Sequence, residues 1–161
     1  MDPSSIGSSA REPSLPKTVV PTNLRCEYLV NPLGIDVREP RLSWSVRSDQ
    51  PGQRQTAYRI VVTTSEEYPA DESEVLWDSG RVTTDQTTHV PYAGKPLASR
   101  QRCYWSVQVW DKDGQPQAPS AKAWWEIGLL DARDWRAQWI SGTAPSVLFR
   151  KVFHARRSIR K

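Results

Sequence analysis

The sequence predicts an all-β fold, and three observations carry that prediction. Of 161 residues, 13 are proline, 8 glycine and 8 tryptophan, against 2 phenylalanines and 1 methionine, a composition that suits short strands and tight turns better than a helical bundle. From Asn23 onward the apolar residues alternate with polar ones in short runs, the period of a half-buried strand. Clusters of Asn, Pro, Gly and Asp separate the runs at the spacing expected of a sandwich, and the length suits one domain with part of another.

Each run justifies a strand in turn. "LRCEY" places Leu24, Cys26 and Tyr28 on one face and Arg25 and Glu27 on the other. "NPLGID" supplies a turn, after which "RLSWSV" sets Leu42, Trp44 and Val46 inward. "QTAYRIVVTT", the longest β-branched and aromatic run, reads as a central strand with Tyr58, Ile60 and Val62 on one side and Ala57, Arg59, Val61 and Thr63 on the other. "EVLWDSG" is a short strand closed by Gly80, "TTHVPY" another ending at Pro91, and "AKAWWEI" a late one before "GLL".

"RCYWSVQVWDKDG" completes a count of seven. Cys103, Trp105, Val107 and Val109 share one face, and Tyr104, Ser106, Gln108 and Trp110 the other. A core of Trp44, Ile60, Val62, Trp105, Val107 and Val109 follows. Asp111 and Asp113 fall in "DKDG", the composition of a hairpin turn, and read as solvated turn residues; a glycosidase pair would need a rigid concave site and one carboxyl held protonated by its surroundings.

The remaining chemistry is sparse. No Ser-His-Asp order, glycine-rich phosphate loop or Cys-His pair is present, so no catalytic or cofactor-binding residue is assigned, and no cofactor is expected. Cys26 and Cys103 with the isolated His89 and His154 lack ligand spacing, so no metal site is expected; the two cysteines read as reduced core thiols. The formal charge of +4 resides in the tail, since Arg150 to Lys161 carry six of the 22 basic residues and no acid, leaving a net of −2 elsewhere. The tail also holds Val152, Phe153 and Ile159 and reads as an interrupted strand with a solvated face, so neither nucleic acid nor membrane is an expected partner. No apolar run approaches the ~20 residues of a membrane span, and "MDPSSIGSSAREPSLPK" lacks the pattern of a secretory signal. A cytoplasmic location is expected, with secretion of a parent protein left open.

Seven strands over about 105 residues, a tryptophan on the second and an aromatic on the sixth resemble a fibronectin type III-like, immunoglobulin-like β-sandwich. Leu97, Ser99, Gln101 and Cys103 occupy the spacing at which such domains often show a leucine and, six residues later, a corner tyrosine. Here Cys103 takes the tyrosine's place and Tyr104 faces the other way, a departure that removes the bracing hydroxyl from the corner position. More specifically, "LRCEYLVNPLGID", "PRLSW", "QTAYRIVV", "LWDSG", "YAGKPL", "YWSVQVWDKDG" and "GLLDARDWRAQWI", in this order, resemble the N-terminal region of bacterial and fungal α-L-rhamnosidases. The resemblance implies a multidomain inverting glycoside hydrolase whose acidic residues lie on an (α/α)₆ barrel that this chain does not contain.

The expected organisation is a disordered leader over 1–20, the sandwich over 21–128, a linker over 129–145, and over 146–161 the first strand of a second, truncated sandwich. The expected role is an accessory N-terminal domain, inactive alone, whose partners are the remaining domains of a parent enzyme that hydrolyses terminal α-L-rhamnosides. Two alternatives stay open: a stand-alone carbohydrate-binding module and a protein-interaction module. Trp110, Trp124 and Trp125 are the candidate contacts to carbohydrate or to a neighbouring domain, because alternation turns some of these rings away from the core.

Overall fold

The computed structural model describes residues 19–67, 71–142, 148–152 and 154. Within them run seven strands: β1 (Val20–Cys26), β2 (Arg41–Arg47), β3 (Ala57–Thr63), β4 (Val75–Asp78), β5 (Val90–Pro91), β6 (Arg102–Trp110) and β7 (Ala123–Glu126). They form two antiparallel sheets, ordered β1-β2-β5 and β4-β3-β6-β7. Single 3₁₀ turns at Glu72–Glu74 and Ala132–Asp134 are the helical segments among the described residues. The all-β, seven-stranded, immunoglobulin-like sandwich expected from the alternation is the fold observed.

Register follows the side-chain pattern closely in the larger sheet. β3 pairs with β6 along its whole length, from Ala57 opposite Trp110 to Thr63 opposite Tyr104. That pairing turns Tyr58, Ile60 and Val62 to the same side as Trp105, Val107 and Val109, and all six are buried with Leu42 and Trp44 from the facing sheet. Burying each large apolar side chain stabilises by roughly 1.5–3 kcal/mol, so this layer dominates the fold's energetics. The Trp44 indole N–H donates to Gln55 Oε1 at 2.9 Å, satisfying the polar atom of the largest side chain in the smaller sheet.

The first strand departs from expectation. Asn23, with φ of 54°, forms a bulge at which pairing shifts from Thr22–Ser45 to Arg25–Ser43. The extra residue lets Pro21 and Cys26 both face inward although they lie an odd number of positions apart. The strand ends at Cys26, because Glu27 and Tyr28 take φ of 47° and 67° and the chain doubles back. Tyr28 is therefore 54% exposed instead of sharing the buried face with Cys26. The sandwich also begins earlier than residue 21: Val19 is buried and its N–H donates to Gln117 Oε1 at 3.3 Å.

Cys103 stands buried at the expected corner-tyrosine position, while Tyr104 lies half-buried on the outer face. The hydroxyl brace comes from Tyr92, which donates to the Lys95 carbonyl at 2.7 Å. The fit is close, for a Cβ on Gly94 would lie 2.5 Å from that hydroxyl oxygen and 2.5 Å from the Leu76 carbonyl oxygen.

The 129–145 stretch is stitched to the sandwich in its first part. Ser99 Oγ bonds the Asp134 carboxylate and accepts the Leu130 N–H at 2.9 Å, and Arg38 donates to the Leu130 carbonyl at 3.0 Å. Residues 1–18 lie outside the described residues, as do 146–147, 153 and 155–161 of the expected second-sandwich strand. Its described part, 148–152 and 154, carries no regular secondary structure.

Candidate functional site

The three tryptophans part company once the register is known. Trp125 pairs opposite Cys103, and since Cys103 faces the core, Trp125 must too. It is 0% exposed and sits edge-on to Trp105 and Tyr92, out of reach of any sugar. Trp124 pairs opposite Tyr104 on the outer face, where the Arg102 guanidinium lies 4.5 Å from its ring centre, itself held by Glu126 at 2.8 Å. Trp110 also faces outward, under the Arg81 guanidinium at 5.0 Å. It lies six positions along β6 from Tyr104, roughly 20 Å away at strand spacing, so the two outward rings do not form one platform.

Between them the outer face of the larger sheet forms a groove in which Arg59, Asp78, Ser106, Gln108 and Lys122 are interspersed with Val61, Val75 and Pro119. Three of its polar groups have protein partners at one or both ends: Arg59 pairs with Asp78 at 2.5 Å, while Gln108 donates to the backbone carbonyl of Gln117 at 2.9 Å and Lys122 to that of Glu67 at 2.6 Å. Arg59 holds the Asp78 carboxyl below its ordinary range. The tryptophans do not line this groove, so it lacks the ring on which a sugar would stack.

The two aspartates of "DKDG" occupy a turn, as expected, but only Asp113 is solvated. Asp111 is buried: its carboxylate accepts from the backbone N–H of Asp113 at 3.0 Å and of Gln115 at 2.9 Å, and from the Gln117 side-chain amide at 3.0 Å. Gln117 is itself fully buried and reaches Val19 through its other amide atom. A carboxylate committed to three donors inside a turn braces the backbone and faces no concave site, which a glycosidase acid requires.

Cys26 and Cys103 are free thiols in the core. Burial pushes Cys103 up to about 12, and Cys26 is raised further by burial, then by the charge of Glu27 and by Cys103. Both stay protonated near neutrality, the opposite of a reactive thiolate. His89 exchanges a 2.9 Å hydrogen bond with the Tyr28 hydroxyl. Among the described residues no group of three His, Cys, Asp or Glu side chains could hold a metal ion, and no helix is long and apolar enough to cross a membrane.

The loop joining β1 to β2 contains a surface that alternation did not reveal. Its backbone runs along the free edge of β7: Asn31 Oδ1 accepts the Trp124 N–H at 3.0 Å, the Pro32 carbonyl accepts the Glu126 N–H at 2.9 Å, and the Ile35 N–H donates to Glu126 at 2.9 Å. Held this way, the loop turns Leu29, Val30, Leu33 and Val37 outward, each between 39% and 66% exposed. The signal was present in "YLVNPLGIDV", ten residues with five large aliphatic side chains and a single charge, but an apolar run ordinarily reads as core.

Comparison with known proteins now gives this geometry a family. Residues 21–131 match the family described as the Rha78A-like, N-terminal immunoglobulin domain. Over 124 residues the chain is 48% identical to an α-L-rhamnosidase of Streptomyces avermitilis, covering 77% of this chain and 12% of that protein. An α-L-rhamnosidase of Formosa agariphila is 37% identical over 114 residues, again covering 12% of that protein. Among solved structures, the S. avermitilis α-L-rhamnosidase complexed with L-rhamnose superposes with a TM-score of 0.73 at 46% identity, over 79% of this chain and 12% of that one. The α-L-rhamnosidase from Dictyoglumus thermophilum gives 0.70 at 34% identity, over 76% of this chain and 14% of that one. The chain thus spans about an eighth of the length of the curated relatives it matches.

Proposed function

This chain belongs to the Rha78A-like N-terminal immunoglobulin domain family, the accessory N-terminal domain of α-L-rhamnosidase homologues, and on that premise we propose that it is a structural, interdomain element of a larger enzyme acting on terminal α-L-rhamnosides. The observation that carries the reading is one of proportion. The family match runs over 21–131, nearly all of the sandwich, yet the chain covers only 12% of the relatives' length. In the larger enzyme the hydrolytic acid and base come from the other domains, and this sandwich supplies none of the reacting groups. The arginine-covered outward tryptophans and a groove without an aromatic ring support this reading over a sugar-binding one.

The purified chain, incubated with a chromogenic α-L-rhamnoside, is expected to give no turnover above buffer. Turnover that disappears when Asp111 and Asp113 are changed to Asn would overturn the proposal. Saturable binding of L-rhamnose by the isolated chain, lost in Trp124→Ala, would favour the carbohydrate-binding alternative instead.

A further inference from the structure

The large apolar side chains exposed among the described residues are unevenly placed. Apart from Val20, they lie on the β1–β2 loop or from Trp135 onward. The loop adjoins the point where the chain leaves the sandwich. The Gly128 N–H donates to the Ile35 carbonyl at 2.7 Å, and Arg38 reaches the Leu130 carbonyl. Gly34, with φ of 73°, and Gly128 pass backbone against backbone, where a Cβ on Gly128 would lie 3.0 Å from the Gly34 carbonyl oxygen. Loop and departing chain are therefore locked together, and the loop's outward side chains are presented on a preformed backbone. Across Tyr28–Val37 the single charge is Asp36, the depletion of charge found at the centre of protein interfaces.

We propose that Leu29, Val30, Leu33 and Val37 form the seat for the polypeptide that follows this sandwich in the full-length enzyme. This rests on the accessory-domain reading and specifies its surface. Continuity selects the occupant: the chain leaves the sandwich at Gly128–Leu130 bonded to this loop, so the polypeptide that follows is held near it at the high effective concentration of a short tether, which no separate partner enjoys.

The test is a chimera in which this chain replaces the matching N-terminal stretch of the S. avermitilis α-L-rhamnosidase, compared with the free 161-residue chain. Hydroxyl-radical footprinting is expected to modify Leu29, Val30 and Leu33 strongly in the free chain and several-fold less in the chimera, and the chimera is expected to melt in one transition. Leu33→Asp with Val37→Asp should leave the free chain's urea midpoint in place while the chimera splits into two transitions; Leu33→Ser serves as the milder variant should the double change disturb folding. A chimera that melts as one unit with the loop as reactive as in the free chain overturns this surface but leaves the interdomain role standing. Independent melting of the unsubstituted sandwich in the chimera overturns both.

Discussion

The two poles of the sandwich solve the same problem in opposite ways. At the pole where β1 begins, the connecting loops turn polar side chains inward and satisfy them there. Asp111 and Gln117 clamp Val19, and Gln55 bridges the Trp44 indole to the carbonyls of Thr84 and Gln86. At the pole where the chain leaves, the backbone is equally well paired, yet the β1–β2 loop turns aliphatic side chains outward. The first pole is finished: its costly groups are buried and partnered. The second still has apolar area to remove from water, worth about 25 cal/mol per Å² once covered. A satisfied backbone with unsatisfied side chains marks a surface prepared for contact, and a loop that lacked order would show neither.

Perturbing each pole should expose the asymmetry. The largest effect belongs near the finished pole, where Trp44→Ala removes a buried ring packed edge-on to Tyr58 and takes the indole donor from Gln55 Oε1. A loss of about 3–5 kcal/mol is expected in urea denaturation. Asp111→Ala comes next. It strips an acceptor from two backbone N–H groups and the Gln117 amide, so a loss of about 2–3 kcal/mol is expected by the same measurement. A value under ~0.5 kcal/mol would make the turn as solvated as its sequence suggested.

The effect of acid is smaller and arises at the other pole. Glu27 receives the Arg41 backbone N–H at 2.6 Å and its guanidinium at 2.7 Å, and those contacts hold its carboxyl below the ordinary value of 4.5. A depressed folded value means that the contribution is present above 4.5 and is lost as the pH falls through the folded value. A shallow decline in melting temperature below pH 4.5 is expected, reduced in Glu27→Gln. The smallest effect is the sharpest discriminator. Leu33→Ser in the isolated chain should change stability by no more than ~0.5 kcal/mol, since the side chain is already exposed, whereas a buried leucine would cost several times that.

What the sequence made legible follows from the range of each interaction. Alternation in β2, β3 and β6 is a local property repeated over seven to nine residues, and the buried face of all three came out as read. The fate of Tyr28 hinged on positive φ at Glu27 and Tyr28, residue types that carry no such preference, so alternation carried it inward wrongly. Asp111 was correctly placed in a turn, but its burial depends on Gln117 and on Val19 at the far end of the chain. For Trp124 and Trp125, alternation says that one ring points in; only the pairing with Cys103 says which. The apolar pole was hidden for a different reason. An aliphatic run signals burial, and whether a residue's own domain or its neighbour does the burying is not written in its period.

The β1–β2 loop also constrains the order in which the molecule can be made. Asn31 waits for Trp124, 93 residues later, and Val19 for Gln117, 98 residues later. On a ribosome, therefore, the first hairpin emerges long before the strand that seats its loop, and the sandwich closes only as the Trp124–Gly128 stretch appears. The chain that would cover Leu33 and Val37 comes directly after that stretch. Synthesis from the N-terminus thus completes the apolar pole at the moment its occupant begins to emerge, which keeps short the interval in which that surface stands bare to other nascent chains.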